Sequence, residues 1–240
     1  MTRGGRGGGL LSPVADAGPD SASALAAACA ALGLELSATT QTRLLSFLGL
    51  LERWNTVYNL TAVRDPGPML TLHLADCLAV VEPLRRQVGE LGGKRLLDVG
   101  SGGGLPGVVL AIVEPDFEVL CVDAVGKKAA FVRQVAAELS LPNLHARHVR
   151  VERLEAPAFD VVAARAFSTL PALVAATRGL LKAGGIWMAM KGRPPAQEIL
   201  GLPSDVEVFH VEPLKVPALN AARCLIWMRP LRRPDAAPTS

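Results

Sequence analysis

Aromatic side chains are scarce in this chain: Phe, Trp and Tyr make up 4% of its 240 residues, with a single tyrosine. A broad stacking platform of the kind that holds single-stranded RNA is hard to build from so few rings. The four cysteines, Cys29, Cys77, Cys121 and Cys224, lie far apart in apolar contexts. No pair has the spacing of a metal site or a redox motif, so no metal is expected. They read as buried thiols, which fits a reducing, cytoplasmic setting. No apolar run approaches the roughly 18 residues that span a bilayer, and no membrane partner is expected. Residues 22–34 are Ala-rich, but Asp16 and Asp20 precede them, so the stretch reads as a helix and not as an export signal.

Half of the residues are apolar, enough for one well-buried domain with a small appendage. Net charge is +3, from 25 Lys and Arg against 22 Asp and Glu, so the placement of charge says more about partners than its sum. Residues 1–20 are Gly-rich and residues 231–240 carry Pro and few apolar side chains; both read as disordered tails. Residues 21–90 read as an N-terminal helical cap. Leu44, Leu45, Phe47, Leu48, Leu51 and Trp54 recur at helical spacing, with Val57 and Tyr58 beyond. Asp65-Pro66 has the form of an N-cap and first helical residue. Met69, Leu70, His73, Leu74, Cys77, Leu78 and Val81 form a second stripe, which makes His73 a core or lid histidine before a catalytic one.

From Lys94 the pattern alternates between short apolar runs and amphipathic helices, so residues 91–230 read as one α/β domain. Strands are expected at 95–99, 118–123, 144–149, 159–164 and 186–190, and helices at 105–113, 127–139 and 170–181, the last ended by Gly184-Gly185. Runs at 206–211 and 224–228 without a strong helix between them suggest an antiparallel hairpin at the end of a doubly wound, mostly parallel sheet.

The first strand ends in Asp98-Val-Gly100-Ser-Gly102-Gly-Gly104. Glycines there let the backbone turn sharply and a ligand approach its peptide groups. The run fits the first motif of Rossmann-like methyltransferases that use S-adenosylmethionine (SAM). Gly102-x-Gly104-x-x-Gly107 also satisfies the dinucleotide fingerprint, so an NAD(P)-dependent oxidoreductase stays open. Asp98 favours SAM: a carboxylate before the glycines can reach the amino group of a methionine moiety but would repel a pyrophosphate. Asp123, at the end of the second strand, can accept hydrogen bonds from both ribose hydroxyls of an adenosine. Lys127, Lys128 and Arg133 lie on the helix after the second strand, Arg147 towards the end of the third, and Lys191 and Arg193 after a later one. They read either as a solvated basic face or as a surface that tracks RNA phosphates. The chain carries no Ser-His-Asp arrangement, no HExxH and no Walker lysine. It also lacks the Asn/Asp-Pro-Pro-aromatic tetrad that holds an exocyclic amino group; Ala164-Arg165-Ala166-Phe167 stands after the fourth strand instead.

Several stretches in order resemble the bacterial small-subunit ribosomal RNA guanine-N7 methyltransferases (RsmG, also GidB). They are Trp54-Asn55-Thr56-Val57-Tyr58-Asn59-Leu60-Thr61-Ala62-Val63, then His73-Leu74-Ala75-Asp76-Cys77-Leu78, then the glycine loop through Gly107. Val122-Asp123-Ala124-Val125-Gly126-Lys127-Lys128, Val151-Glu152 and Ala164-Arg165-Ala166-Phe167 complete the set. The resemblance implies a class I SAM-dependent methyltransferase sheet. It implies SAM contacts at Gly100, Leu105, Val151, Glu152 and Arg165, beside the Asp98, Gly102 and Asp123 read from the motif. It also implies methyl transfer to N7 of one guanosine near the decoding site of 16S rRNA, free or in a 30S subunit. The missing catalytic motifs agree with that reaction, because N7 has a free lone pair and no proton to lose; positioning suffices. Methylation of another RNA or of a small molecule, or RNA binding without catalysis, are the other readings of these residues.

Overall fold

The computed structural model describes residues 19–63 and 66–231. The expected tails fall almost wholly outside this range, as does Asp65 of the expected N-cap; the first helix already begins at Pro19. Helices α1 (Pro19–Leu32) and α2 (Ala38–Tyr58) come first. Ser37 caps α2 by accepting a hydrogen bond from Thr40 N at 3.1 Å. A helical rod follows: α3 (Pro66–Met69), a π-helical stretch (Leu70–Ala75) and α4 (Asp76–Leu78), then α5 (Val81–Val88). All seven residues of the second apolar stripe are buried. None of these helices is long and apolar enough to cross a membrane.

The alternating half follows: β1 (Arg95–Val99), α6 (Gly107–Val113), β2 (Glu118–Asp123), α7 (Gly126–Glu138), β3 (Leu144–His148), β4 (Phe159–Ala164), α8 (Leu170–Thr177), β5 (Leu181–Lys191), α9 (Ala196–Leu200), β6 (Val206–Leu214) and β7 (Arg223–Pro230). One seven-stranded sheet has the order β3-β2-β1-β4-β5-β7-β6. Strands β1 to β5 pair in parallel, while β7 runs antiparallel to both β5 and β6. The last strand in sequence is therefore inserted inside the sheet, and β6 takes the edge.

Alternation along the strands divides the core in two. Leu96, Cys121, Val161, Ala163, Met188 and Trp227 face a layer that contains α1, α2, α6 and α7. Leu97, Leu120, Val162, Trp187 and Ile226 face α8 on the other side. Side chains of the N-terminal helices, including Leu44, Phe47 and Leu74, belong to the same apolar cluster as the strands they cover.

One expected helix is corrected. The segment 170–181 is helical only to Thr177, then makes a 3-10 turn (Arg178–Leu180), and β5 already begins at Leu181. Gly184, at φ +78°, does not end a helix. It sits in an irregularity of β5 where the pairing jumps from Phe159↔Leu181 to Val161↔Ile186. Gly-Gly after an apolar stretch serves a helix end or a bulge equally well, and only the pairing with β4 decides between them.

Candidate cofactor cleft and basic rim

The carboxyl ends of β1, β2 and β4 meet at one edge of the sheet. After Val99 the chain turns through Gly100, Gly102 and Gly104 at φ of +67°, +58° and +79°, a region that side chains rarely enter. Space demands glycine too: a Cβ on Gly104 would fall 2.3 Å from Val108 Cγ2. A Cβ on Gly103 would fall 2.8 Å from Leu51 Cδ1, so α2 rests directly on this loop.

Asp123 braces the loop. Its Oδ2 accepts from Gly102 N at 3.0 Å and its Oδ1 from Val125 N at 2.8 Å, with Lys128 Nζ 3.7 Å away. A carboxylate has about four lone-pair sites, so Asp123 can hold the loop and still accept from a ligand hydroxyl. A cleft of about 190 Å³ opens beside it, lined among others by Gly100, Asp123, Ala124, Val151, Glu152 and Phe167. Val151 and Glu152 reach it from a 3-10 turn (Val151–Arg153) after β3.

Four of the sequence-predicted cofactor residues thus meet in the cleft: Gly100, Asp123, Val151 and Glu152. The other four lie outside its lining. Leu105 is buried, and Gly102 contributes the N–H held by Asp123. Asp98 lies on the strand face of Leu96 and Cys121, fully buried under the start of α6. Its Oδ2 accepts from Gly107 N at 2.9 Å, and its Oδ1 has no partner among the described residues. Burial pushes its pKa up to about 7, against the pull of the Gly107 N–H and the Arg165 charge. The start of α6 closes over this carboxylate, which is not among the groups that line the cleft.

Arg165 follows β4 and is a quarter exposed. Its Nη1 donates to Leu72 O at 3.2 Å and lies 3.6 Å from Asp76 Oδ2. Asp76 is 3% exposed, and its Oδ1 accepts from Arg223 Nε on β7 at 2.9 Å. The π-helical stretch that supplies Leu72 is itself tied to the end of α2. Buried Asn55 accepts from Thr61 N at 2.8 Å and donates to Val63 O at 2.9 Å. The Thr61 hydroxyl is 2.8 Å from His73 Nε2. His73 is buried, and desolvation, then the Arg165 charge, lowers its pKa to about 4, so it is neutral at pH 7. A chain of hydrogen bonds thus runs from Asn55 to the π-helical stretch that holds Arg165.

The basic candidates do not form one rim. Arg133 and Arg147 line an open groove of about 470 Å³ along the edge strand β3, together with Arg153. Lys127 is exposed at the start of α7. Arg193 is exposed beyond β5, four strand positions and so about 19 Å from β3. Lys191 is tied to Glu198, 2.9 Å from its Oε2, which also accepts from Leu170 N. It braces α8 against α9 and is not a free cation.

The family model for rRNA small subunit methyltransferase G matches residues 40–226. The chain belongs to this family. It is 59% identical over 206 residues to the ribosomal RNA small subunit methyltransferase G of Leptothrix cholodnii, covering 86% of this chain and 94% of that one. Identity to the protein of the same name from Acidovorax sp. strain JS42 is 58% over 208 residues, covering 84% and 92%. Among solved structures, TrmN from Thermus thermophilus shares 20% identity at a TM-score of 0.50, covering 64% of this chain and 48% of that one. MtNAS in complex with MTA and tNA shares 13% identity at a TM-score of 0.53, covering 79% and 73%. The two structures share the fold, an α/β sheet flanked by helices.

Within the rRNA small subunit methyltransferase G frame, three site features carry no role in the sequence reading, although two of them stand in the stretches that resemble the family: Phe167, Asp76 and the Leu72 carbonyl. Phe167 lines the cleft and stands 4.0 Å from where a Cβ on Gly100 would be. Asp76 carried a signal, an acid between Ala75 and Cys77 in a segment rich in apolar residues. Its partners Arg165 and Arg223 are 89 and 147 residues away in sequence, beyond the reach of any local pattern. A backbone carbonyl leaves no trace in sequence.

Proposed function

We propose that this protein is a cytoplasmic enzyme that methylates N7 of a guanosine in 16S rRNA, with SAM as the methyl donor. The observation that carries the reading is the acid-lined cleft beside the glycine loop in a chain of this family. Asp123 and Glu152 can accept ribose hydroxyls, and Val99, Val122 and Phe167 offer apolar walls for a purine. Asp123 and Glu152 outnumber the one lining cation, Arg150, a balance that suits a donor with a positive sulfur better than a pyrophosphate and favours SAM over a dinucleotide. When bound, SAM supplies a methyl group already activated by its sulfonium charge.

The chain's own task is to orient and to exclude water. Guanine N7 attacks with its lone pair and releases no proton, so no general base is needed. The buried, neutral His73 agrees, since it holds the π-helical stretch and reaches no open surface. Arg165, gripped by Leu72 O and Asp76, offers a guanidinium to the carboxylate end of the donor. The purine gains positive charge during transfer, and the acidic cleft disfavours it less than a basic one would.

The test supplies labelled SAM with 30S subunits or naked 16S rRNA from a strain lacking the modification, followed by mapping of the labelled nucleoside. Label at guanine N7 is expected, and comparison of the two substrates identifies the form acted on. Label on another base, or on protein, overturns the proposal.

A further inference from the structure

We propose that Tyr58, with Lys127 beside it, is a stacking site for an unpaired base of the RNA substrate at the lip of the cofactor cleft. The proposal rests on the reading above that RNA is the substrate. The ten aromatic residues of the chain all lie within the described range, and Tyr58 is the one that is exposed. Trp187 and Trp227 are fully buried, as are Phe47, Phe117, Phe131 and Phe159.

Its position follows from the helix. Phe47, Leu51, Trp54 and Tyr58 are spaced four, three and four residues apart, so they share one face of α2. Phe47 and Trp54 pack on Phe131 of α7, with ring centroids 6.3 and 5.4 Å away. Leu51 presses on Gly103 of the glycine loop. Tyr58 lies seven residues past Leu51, about 10.5 Å further along the axis. There the same face overhangs the start of α7, and Tyr58 is 39% exposed. One flank of its ring meets Trp54, at 5.1 Å between centroids, and Lys127 Nζ lies over the ring, 6.0 Å from its centre, on a flexible stem that can yield the face to a base.

The surroundings suit a nucleotide. Val57 and Val125 are 68% and 39% exposed, and with Tyr58 they make three of the five exposed large apolar side chains among the described residues. Val57 adjoins Tyr58 in α2. Val125 stands two residues before Lys127 and directly after Ala124, which lines the cofactor cleft. A π-face, an apolar border and a free ammonium together match a base with its phosphate. Asn55, by folding residues 59–63 back on the helix end, keeps the overhang in place. Such a residue acts on RNA affinity and not on the donor, because the cleft itself contains no atom of Tyr58.

The experiment compares wild-type protein with Tyr58→Ala, Tyr58→Phe and Lys127→Ala, using methyl transfer to rRNA, SAM binding and thermal unfolding. Tyr58→Ala is expected to raise KM for RNA by about 10- to 100-fold, the loss typical of one stacked base, with SAM affinity and Tm unchanged. Tyr58→Phe restores the wild-type KM. Lys127→Ala raises KM and makes RNA binding less sensitive to salt. A wild-type KM in Tyr58→Ala overturns the proposal, as does equal impairment of the Ala and Phe variants or a loss that tracks SAM affinity. In each of those cases wild-type transfer to rRNA is intact and the functional reading stands. Absence of transfer by the wild-type chain overturns both.

Discussion

Asp76→Ala separates the anchoring of Arg165 from the donor contact proposed for it. The Asp76 side chain is 4% exposed, and those of its partners Arg165 and Arg223 are 25% and 24% exposed. Removing one member of a fully buried pair costs about 3–5 kcal/mol, because the other charge is left dry. Here both guanidiniums already touch solvent and can rehydrate, which lowers the expected cost to about 2–3 kcal/mol. At ~2–4 °C per kcal/mol for a chain of this size, Tm should fall by about 5–10 °C. Arg165 then keeps the Leu72 carbonyl as its remaining anchor, and SAM affinity is expected to drop about tenfold, the equivalent of ~1.4 kcal/mol. Asp76→Asn retains an acceptor for Arg223 Nε and should cost about half as much. Thermal unfolding and calorimetric titration with SAM measure the two effects. A double-mutant cycle with Arg223→Ala removes the part that belongs to β7. Wild-type Tm and SAM affinity in Asp76→Ala would refute the reasoning, and so would a loss of stability with affinity intact.

Other perturbations address the loop, the core acid and the basic surface. Asp98 has a folded pKa of about 7 against an ordinary 3.8, so between pH 4 and 7 the native state binds more protons than the unfolded one. Stability of the ligand-free protein should fall as pH rises through that window, by up to about 4 kcal/mol, and level off above it. Asp98→Asn keeps an acceptor for Gly107 N and should flatten the slope; an unchanged slope, read by denaturation at pH 5 and 8, contradicts the assignment. Gly104→Ala meets a positive φ and Val108 Cγ2 at 2.3 Å, for a cost of about 3 kcal/mol. Adding Val108→Ala should recover the steric part but not the backbone part, and a wild-type Tm in the single variant would show that the loop is looser than described. Arg133→Ala and Arg147→Ala should each lower the salt dependence of RNA binding by about one unit of slope. Lys191→Ala should leave that slope alone, because Lys191 is held by Glu198; the reverse ranking would move the RNA to the other side of the cleft.

Much of the fold follows from periodicity that survives in one dimension. The strand at Phe159–Ala164 and the stripes on α2 and the π-helical rod are local patterns of burial, and local patterns are what sequence displays. The glycine loop is legible because positive φ and tight contact leave glycine little competition. The insertion of β7 between β5 and β6 leaves only a faint mark: β7 is a continuous buried run and β6 mixes Val with Glu207, His210 and Glu212, as inner and edge strands do, but the pairing of β7 with β5 is not a local pattern.

The sequence by itself determined that the chain is an α/β protein of this methyltransferase family with a nucleoside-sized turn after Asp98, because composition, spacing and motif order all act over short distances. Tertiary structure alone decided what each charged group does. Asp98 and Asp123 lie on the same face of neighbouring strands beside the same loop, yet the start of α6 encloses one, while the other, at the very end of its strand, reaches the cleft. Lys191 and Lys127 are both basic residues near strand ends, yet one is consumed by Glu198 and the other stands free beside Tyr58. A charge acquires its role from the groups within a few ångströms of it, and those groups come from distant parts of the chain.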